Sequence, residues 1–266
     1  MVVRWRHLKP PGTLVLPARF ARPLAVLTLA AALGACASPS PEGGTPASAS
    51  PAAASMTADP VGSTTPDSAG WRPLLGATTA AWRGFKRDRL PDGWTVADGV
   101  LAKQKPVEDI VSIDQFGDFE LELDWKISSG GNSGIFFRGA EDEEKIYWTA
   151  PEYQLLDDIQ AADNKTRLTC AGAAYGLYPS PTGHLKPVGE WNRTRLVARG
   201  AHVEHWLNGT KLLEYELWSP DWEAKVKASK FVAWPRYGRL KSGHLSLQGD
   251  HEGALAFRNI RIRDLK

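Results

Sequence analysis

From Phe119 to Ile127 the chain alternates without a break: Phe119, Leu121, Leu123, Trp125 and Ile127 are apolar, and Glu120, Glu122, Asp124 and Lys126 between them are charged. Successive side chains of a strand point to opposite faces, so as a strand this run gathers one apolar face. A helix would scatter the same residues around its circumference. The charged set then forms a solvated outer face, and the apolar set demands a second layer to cover it. Asn208-Gly209, between the strand-like runs His202–Leu207 and Thr210–Glu216, suits a two-residue type I′ hairpin, in which both central residues take positive φ. Further strands are predicted at Trp94–Lys103, Ser133–Arg138, Glu152–Leu156, Arg193–Arg199, Gly243–Leu247 and Leu255–Arg263, with only Pro220–Phe231 suited to a short helix or turn. Short strands broken by Gly and Pro turns about every ten residues predict an all-β fold, an antiparallel β-sandwich or jelly roll, and argue against a parallel α/β sheet.

The strand pattern occupies residues 70–266. Ahead of it, residues 1–35 carry Arg4, Arg6, Lys9, Arg19 and Arg22 with no acid, then the apolar run Leu24–Leu33 and the small residues Gly34-Ala35. This is a signal peptide pattern, and the apolar run is too short for a mature membrane span. Leu33-Gly34-Ala35-Cys36 resembles a bacterial lipobox, which would make Cys36 the lipidated first residue; ordinary signal-peptidase cleavage is the alternative. Residues 36–69 are almost all Ala, Ser, Pro, Thr and Gly, with only Glu42, Asp59 and Asp67 charged, too little apolar area to offset ordering entropy. They are expected to be a disordered tether, and the protein a secreted one held in the bacterial envelope, at the outer membrane, by lipid on Cys36.

The whole chain has a net charge of +2, but losing the five basic residues of 1–35 leaves −3, so no basic footprint for nucleic acid remains. Only Cys36 and Cys170 are present. With Cys36 lipidated, Cys170 has no intramolecular partner and is expected to be buried and inert.

The chain has no nucleophile elbow, phosphate-binding glycine loop or zinc-spaced Cys/His pair. Glu120, Glu122 and Asp124 superficially match the paired acids of sandwich glycosidases, but their alternation with Lys126 reads as solvated surface. In Ala150-Pro151-Glu152-Tyr153-Gln154-Leu155 the period of two puts Glu152 and Gln154 on one face; in Gly131-Asn132-Ser133-Gly134-Ile135-Phe136-Phe137-Arg138, Asn132 and Arg138 share a parity. If these strands are neighbours, a carboxylate, two amides and a guanidinium converge, either as a site or as an ordinary salt-bridged surface.

Ordered blocks run through the domain: Gly70-Trp71-Arg72-Pro73-Leu74-Leu75, Trp82-Arg83-Gly84-Phe85, Asp114-Gln115-Phe116-Gly117-Asp118-Phe119, the Gly131–Arg138 segment, Pro151-Glu152-Tyr153-Gln154, Lys186-Pro187-Val188-Gly189-Glu190-Trp191-Asn192, Glu204–Gly209, Ser229-Lys230-Phe231 and Phe257-Arg258-Asn259-Ile260. In this order they resemble the 3-keto-disaccharide hydrolase domain family. The resemblance implies a concanavalin A-like sandwich acting on glycosides whose sugar is oxidised to a ketone at carbon 3, with a carbohydrate or glycoside as partner; no cofactor is expected. A ketone there acidifies the proton on carbon 2, so a modest base can remove it and expel the group on carbon 1, after which water adds back. That route needs a base, an enolate stabiliser and an acid for the leaving oxygen. We assign Glu152 as base, Arg138 with Gln154 or Asn132 to the enolate, and His251 or His205 as acid, with Trp148, Tyr175, Trp191, Lys230 and Asp250 as substrate contacts. The sequence departs from the family at Tyr175-Gly176-Leu177, where Tyr-Asp-Leu is usual, and at Gly249-Asp250-His251-Glu252, where Asp-His-Gly is usual. A divalent metal beside Glu152, Asp250 and His251 has no support in their spacing, and none is expected. The rival readings are a non-catalytic carbohydrate-binding module presenting Trp148, Trp191 and Trp206 to sugar rings, and a structural envelope lipoprotein.

Overall fold

A computed structural model describes residues 66–76 and 78–266; the leader, Cys36 and the tether up to residue 65 lie outside the described residues. The strands are β1 (Arg72–Pro73), β2 (Trp82–Gly84), β3 (Trp94–Ala97), β4 (Val100–Lys103), β5 (Ile110–Phe116), β6 (Phe119–Ile127), β7 (Asn132–Gly139), β8 (Glu152–Leu156), β9 (Asn192–Arg199), β10 (His202–Leu207), β11 (Thr210–Glu216), β12 (Gly243–Leu247) and β13 (Leu255–Asp264). One sheet runs β11-β10-β9-β6-β13-β4-β3 with β1 also on β13, the other β2-β5-β12-β7-β8, and neighbours within both are antiparallel. The two sheets make the expected sandwich.

The β6 alternation sets how the layers meet. Phe119, Leu121, Leu123, Trp125 and Ile127 share a single core with Ile135, Phe137, Tyr153, Leu155, Leu245 and Leu247 of the second sheet. Burying one such side chain is worth about 1.5–3 kcal/mol. A one-residue slip of β6 would send its whole apolar set to water and its acids inward, so the register is strongly fixed.

The opposite face of β6 is not solvated as the alternation suggested. Glu120 and Asp124 are only 3% and 5% exposed, because β9 and β13 on either side place arginines over them. Arg195 and Arg263 cover Glu120, Arg193 and Arg258 cover Asp124, and Arg261 pairs Glu122. Burial acts to raise the Asp124 pKa, but hydrogen bonds from Arg193 and Asn259 outweigh it and hold the carboxylate below its ordinary range.

The predicted Asn208-Gly209 hairpin forms, with φ of 50° and 87°. Trp94–Lys103, expected as one strand, is two: Asp98 and Gly99 take φ of 50° and 72° and reverse the chain, pairing Ala97 with Val100. β5 escapes a period-two reading because its pairing with β12 is irregular between Gln115 opposite His244 and Val111 opposite Ser246.

Helix α1 (Pro220–Lys227) starts at Ser219, whose side chain accepts from Trp222 N–H, with Pro220 in its first turn. Its Trp222 stacks between Tyr215 and Tyr237, and Tyr237 stacks on Phe231. This aromatic column carries the 3-10 turn Lys230–Ala233 to the outer face of the five-stranded sheet.

Candidate active site

β7 and β8 are neighbours, with Gly134 opposite Gln154 and Phe136 opposite Glu152. Residues opposite one another point to one side, so Asn132, Glu152 and Gln154 emerge together on the face turned away from the core. Gln154 Nε2 donates to Asn132 Oδ1 at 3.3 Å. Gly134 lies between them for a steric reason: a Cβ there would sit 2.1 Å from Glu152 Oε1. The missing side chain is the space the carboxyl occupies.

Above these residues opens a pocket of about 640 Å³. One wall is the Asp250-His251-Glu252 loop, another is Asp163 and Lys165, and Tyr147, Tyr175, Phe231 and Trp234 add an aromatic side with Lys230 among them. Lys230 Nζ stands 4.4 Å from the Tyr175 ring centre, and Tyr175 donates its hydroxyl to Asp163 Oδ2 at 2.8 Å. Burial and the Asp163 carboxylate push the Tyr175 phenol upward, so it stays protonated. His251 Nε2 lies 3.9 Å from Asp250 Oδ1, both side chains partly open to solvent.

Glu152 is the most perturbed acid in this pocket. Burial raises its pKa to about 8; Lys230 opposes that shift, and Asp109, Asp163 and Asp250 add to it. A carboxyl that titrates near neutrality on a pocket floor can take or give a proton at working pH.

The pocket gathers Glu152, Asn132, Gln154, Tyr175, Lys230, Asp250 and His251. It leaves out five other candidates. Arg138 has the right parity, but the pairing of β12 with β7 shifts between His244 opposite Gly139 and Ser246 opposite Phe136, and Arg138 takes φ of 52° in that bulge. The bulge re-aims the side chain: the guanidinium donates to Gly117 O, Gly200 O and Asp118 and is 1% exposed. His205 is fully buried on the core face of its strand, Nδ1–H donating to Gly172 O at 3.0 Å and Nε2 lying 3.3 Å from the Tyr215 hydroxyl. Burial lowers its pKa to about 4, so it is a neutral core imidazole. Trp148 stacks on Trp234 and lines a separate cavity of about 160 Å³ with Glu143 and Arg236. Trp191 lies against Arg258 and Lys126, and Trp206 against Arg195, on the arginine-covered face of the other sheet.

Arg138 is thus a structural residue. Arg138→Met should strand two carbonyls and Asp118 and cost roughly 3 kcal/mol, lowering the melting temperature by roughly 6–12 °C. The activity of the protein that remains folded should stay within about twofold of the parent. Loss of activity without loss of stability would return Arg138 to the site.

Among the described residues, the group with metal-ligand spacing is His202, Glu204 and Glu214, on the β10–β11 hairpin, where Lys211 already pairs with both acids. Tyr147, Asp163, Lys165, Trp234 and Gln248 were not anticipated as lining. Gln248 continues the parity of Ser246 beyond β12 and was legible in that sense; Asp163 and Lys165 lie between strands, where no periodicity marks them. Gly176, the departure from the family's Tyr-Asp-Leu, has φ of 71°, and a Cβ there would meet the Phe231 ring at 3.1 Å.

Residues 70–263 match the model of a family described as the 3-keto-alpha-glucoside-1,2-lyase-like domain. A protein of Bacteroides thetaiotaomicron named 3-keto-disaccharide hydrolase is 34% identical over 222 residues, covering 71% of this chain and 76% of its own. Two crystal structures of glycosyl hydrolase candidates from Parabacteroides distasonis are also similar. One has a TM-score of 0.70 at 32% identity over 74% of this chain and 95% of its own. The other has a TM-score of 0.60 at 30% identity over 73% and 99%.

Proposed function

The chain belongs to the 3-keto-alpha-glucoside-1,2-lyase-like domain family and is a glycoside-processing enzyme, and we propose that its substrates are glycosides carrying a ketone at carbon 3 of the sugar. The observation that carries this reading is Glu152, a pocket-floor carboxyl titrating at about 8 and coupled to the Lys230 ammonium. A carboxylate is too weak to remove a proton from an ordinary sugar carbon, but adequate once an adjacent ketone spreads the resulting charge onto oxygen.

In the proposed reaction ionised Glu152 takes the proton from carbon 2, and the electron pair passes into the carbonyl as an enolate. Lys230, which lines the pocket, supplies the positive charge at the enolate in place of the buried Arg138. The pair then forms the carbon 1–carbon 2 double bond as the bond from carbon 1 to the leaving oxygen breaks, and His251, oriented by Asp250, protonates that oxygen. Water adding to carbon 1, with return of the proton to carbon 2, completes a net hydrolysis. Asn132 and Gln154 hold sugar hydroxyls at the floor, and the aromatic wall packs the ring.

The test is a pair of chromogenic substrates differing only at carbon 3. The purified protein should release the aglycone from the 3-keto-glucoside and leave the unoxidised glucoside at background. Equal turnover of both, or binding of the ketone sugar without turnover, would overturn the proposal.

A further inference from the structure

The Asp250-His251-Glu252 loop is held from beneath by two charged side chains that do not line the pocket. Lys103, at the end of β4, is 1% exposed, and its Nζ donates to His251 O at 2.7 Å and Gly253 O at 3.0 Å. Asp109, just before β5, accepts the Gly249 N–H at 2.8 Å. Gly249 lets the backbone lie flat here, since a Cβ would sit 2.6 Å from Val107 O and 2.9 Å from Glu108 O. Burying an ammonium is costly unless it is well satisfied. A buried ammonium and a half-buried carboxylate, both engaged with the backbone of one short loop, fix that loop in place.

We infer that Lys103 and Asp109 are positioning residues: together they clamp the Gly249–Gly253 backbone so that Asp250 and His251 are presented to the substrate. In its catalytic consequence this rests on the function proposed above. The clamp depends on its charges. The Asp109 carboxyl, raised by burial to about 6, faces Asp250 and Glu152, which raise it or are raised by it, and Lys145 and Lys103, which favour its ionised form. Protonated, it gives up its acceptor strength toward Gly249, and the loop loosens.

Two measurements on the full chain test the clamp. In Lys103→Met, amide exchange at residues 250–253 should speed up by about tenfold or more while core strands stay protected. On the 3-keto-glucoside, kcat should fall about 10- to 100-fold with KM moving far less, because misplacement of a reacting group penalises the transition state. Asp109→Asn keeps the shape and carries the test if Lys103→Met does not fold. Below pH about 6 the parent profile should steepen by one further proton, and Asp109→Asn should lose that steepening and expose the Gly249 amide. Parent-like loop exchange in a folded variant would overturn the clamp. A parent inactive on the ketone sugar would overturn the proposed function and leave the exchange result to decide the clamp by itself.

Discussion

Glu152→Gln should lower turnover of a 3-keto-glucoside by about 100-fold or more while leaving binding near that of the parent, the usual scale for loss of a general base. Gln keeps the shape but cannot accept the proton. Because the ionised form does the work and its pKa is about 8, the acid side of the parent's kcat/KM profile should be a limb rising with pH up to about that value. The residual activity of Glu152→Gln should lack that limb. Parent-like activity in the variant would leave the family assignment intact and remove Glu152 as the base.

The same pKa has a consequence for stability. The ordinary value for Glu is near 4.5, so the folded chain binds this proton more tightly than the unfolded chain does. The contribution is fully present below pH 4.5 and is lost as pH rises toward about 8 and the carboxyl ionises in its desolvated position. Glu152→Gln cannot ionise. Its melting temperature should therefore overtake that of the parent above pH 8, a gain in stability coupled to a loss of activity that marks a group held for chemistry.

The fold was legible where local pattern and tertiary demand agree. The β6 alternation and the Asn208-Gly209 turn each specify one conformation, and both formed. Asp98-Gly99 carries the same turn chemistry, but the residues around it read as one continuous strand. The outer acids of β6 looked solvated because no single segment reveals that β9 and β13 bring arginines over them. Glu152, Asn132 and Gln154 followed from parity, since β7 and β8 pair regularly at those positions. Arg138 failed the same reasoning because parity does not survive a bulge. Lys103 and Asp109 had no local mark at all: they act across about 150 and 140 residues of chain, on a loop whose position only the closed sandwich defines.

Gly134→Ala should separate folding from catalysis at this site. The added Cβ would fall 2.1 Å from Glu152 Oε1 and 2.8 Å from both Cδ and Cγ, whereas no backbone atom is among its nearest contacts. Relief is therefore available by turning the Glu152 side chain to another rotamer, at a cost of roughly 1 kcal/mol, and the melting temperature should fall by no more than a few degrees. The carboxyl, however, must move by an ångström or so from the place where Gly134 had left room for it. A displacement of about 1 Å of a reacting group costs on the order of 100-fold in rate, so the loss of kcat should approach that of Glu152→Gln although every chemical group is still present. Combining the two substitutions should add little, because they remove one function. An active Gly134→Ala, or one whose loss adds fully to that of Glu152→Gln, would mean that the carboxyl does not act from the position it holds in this pocket.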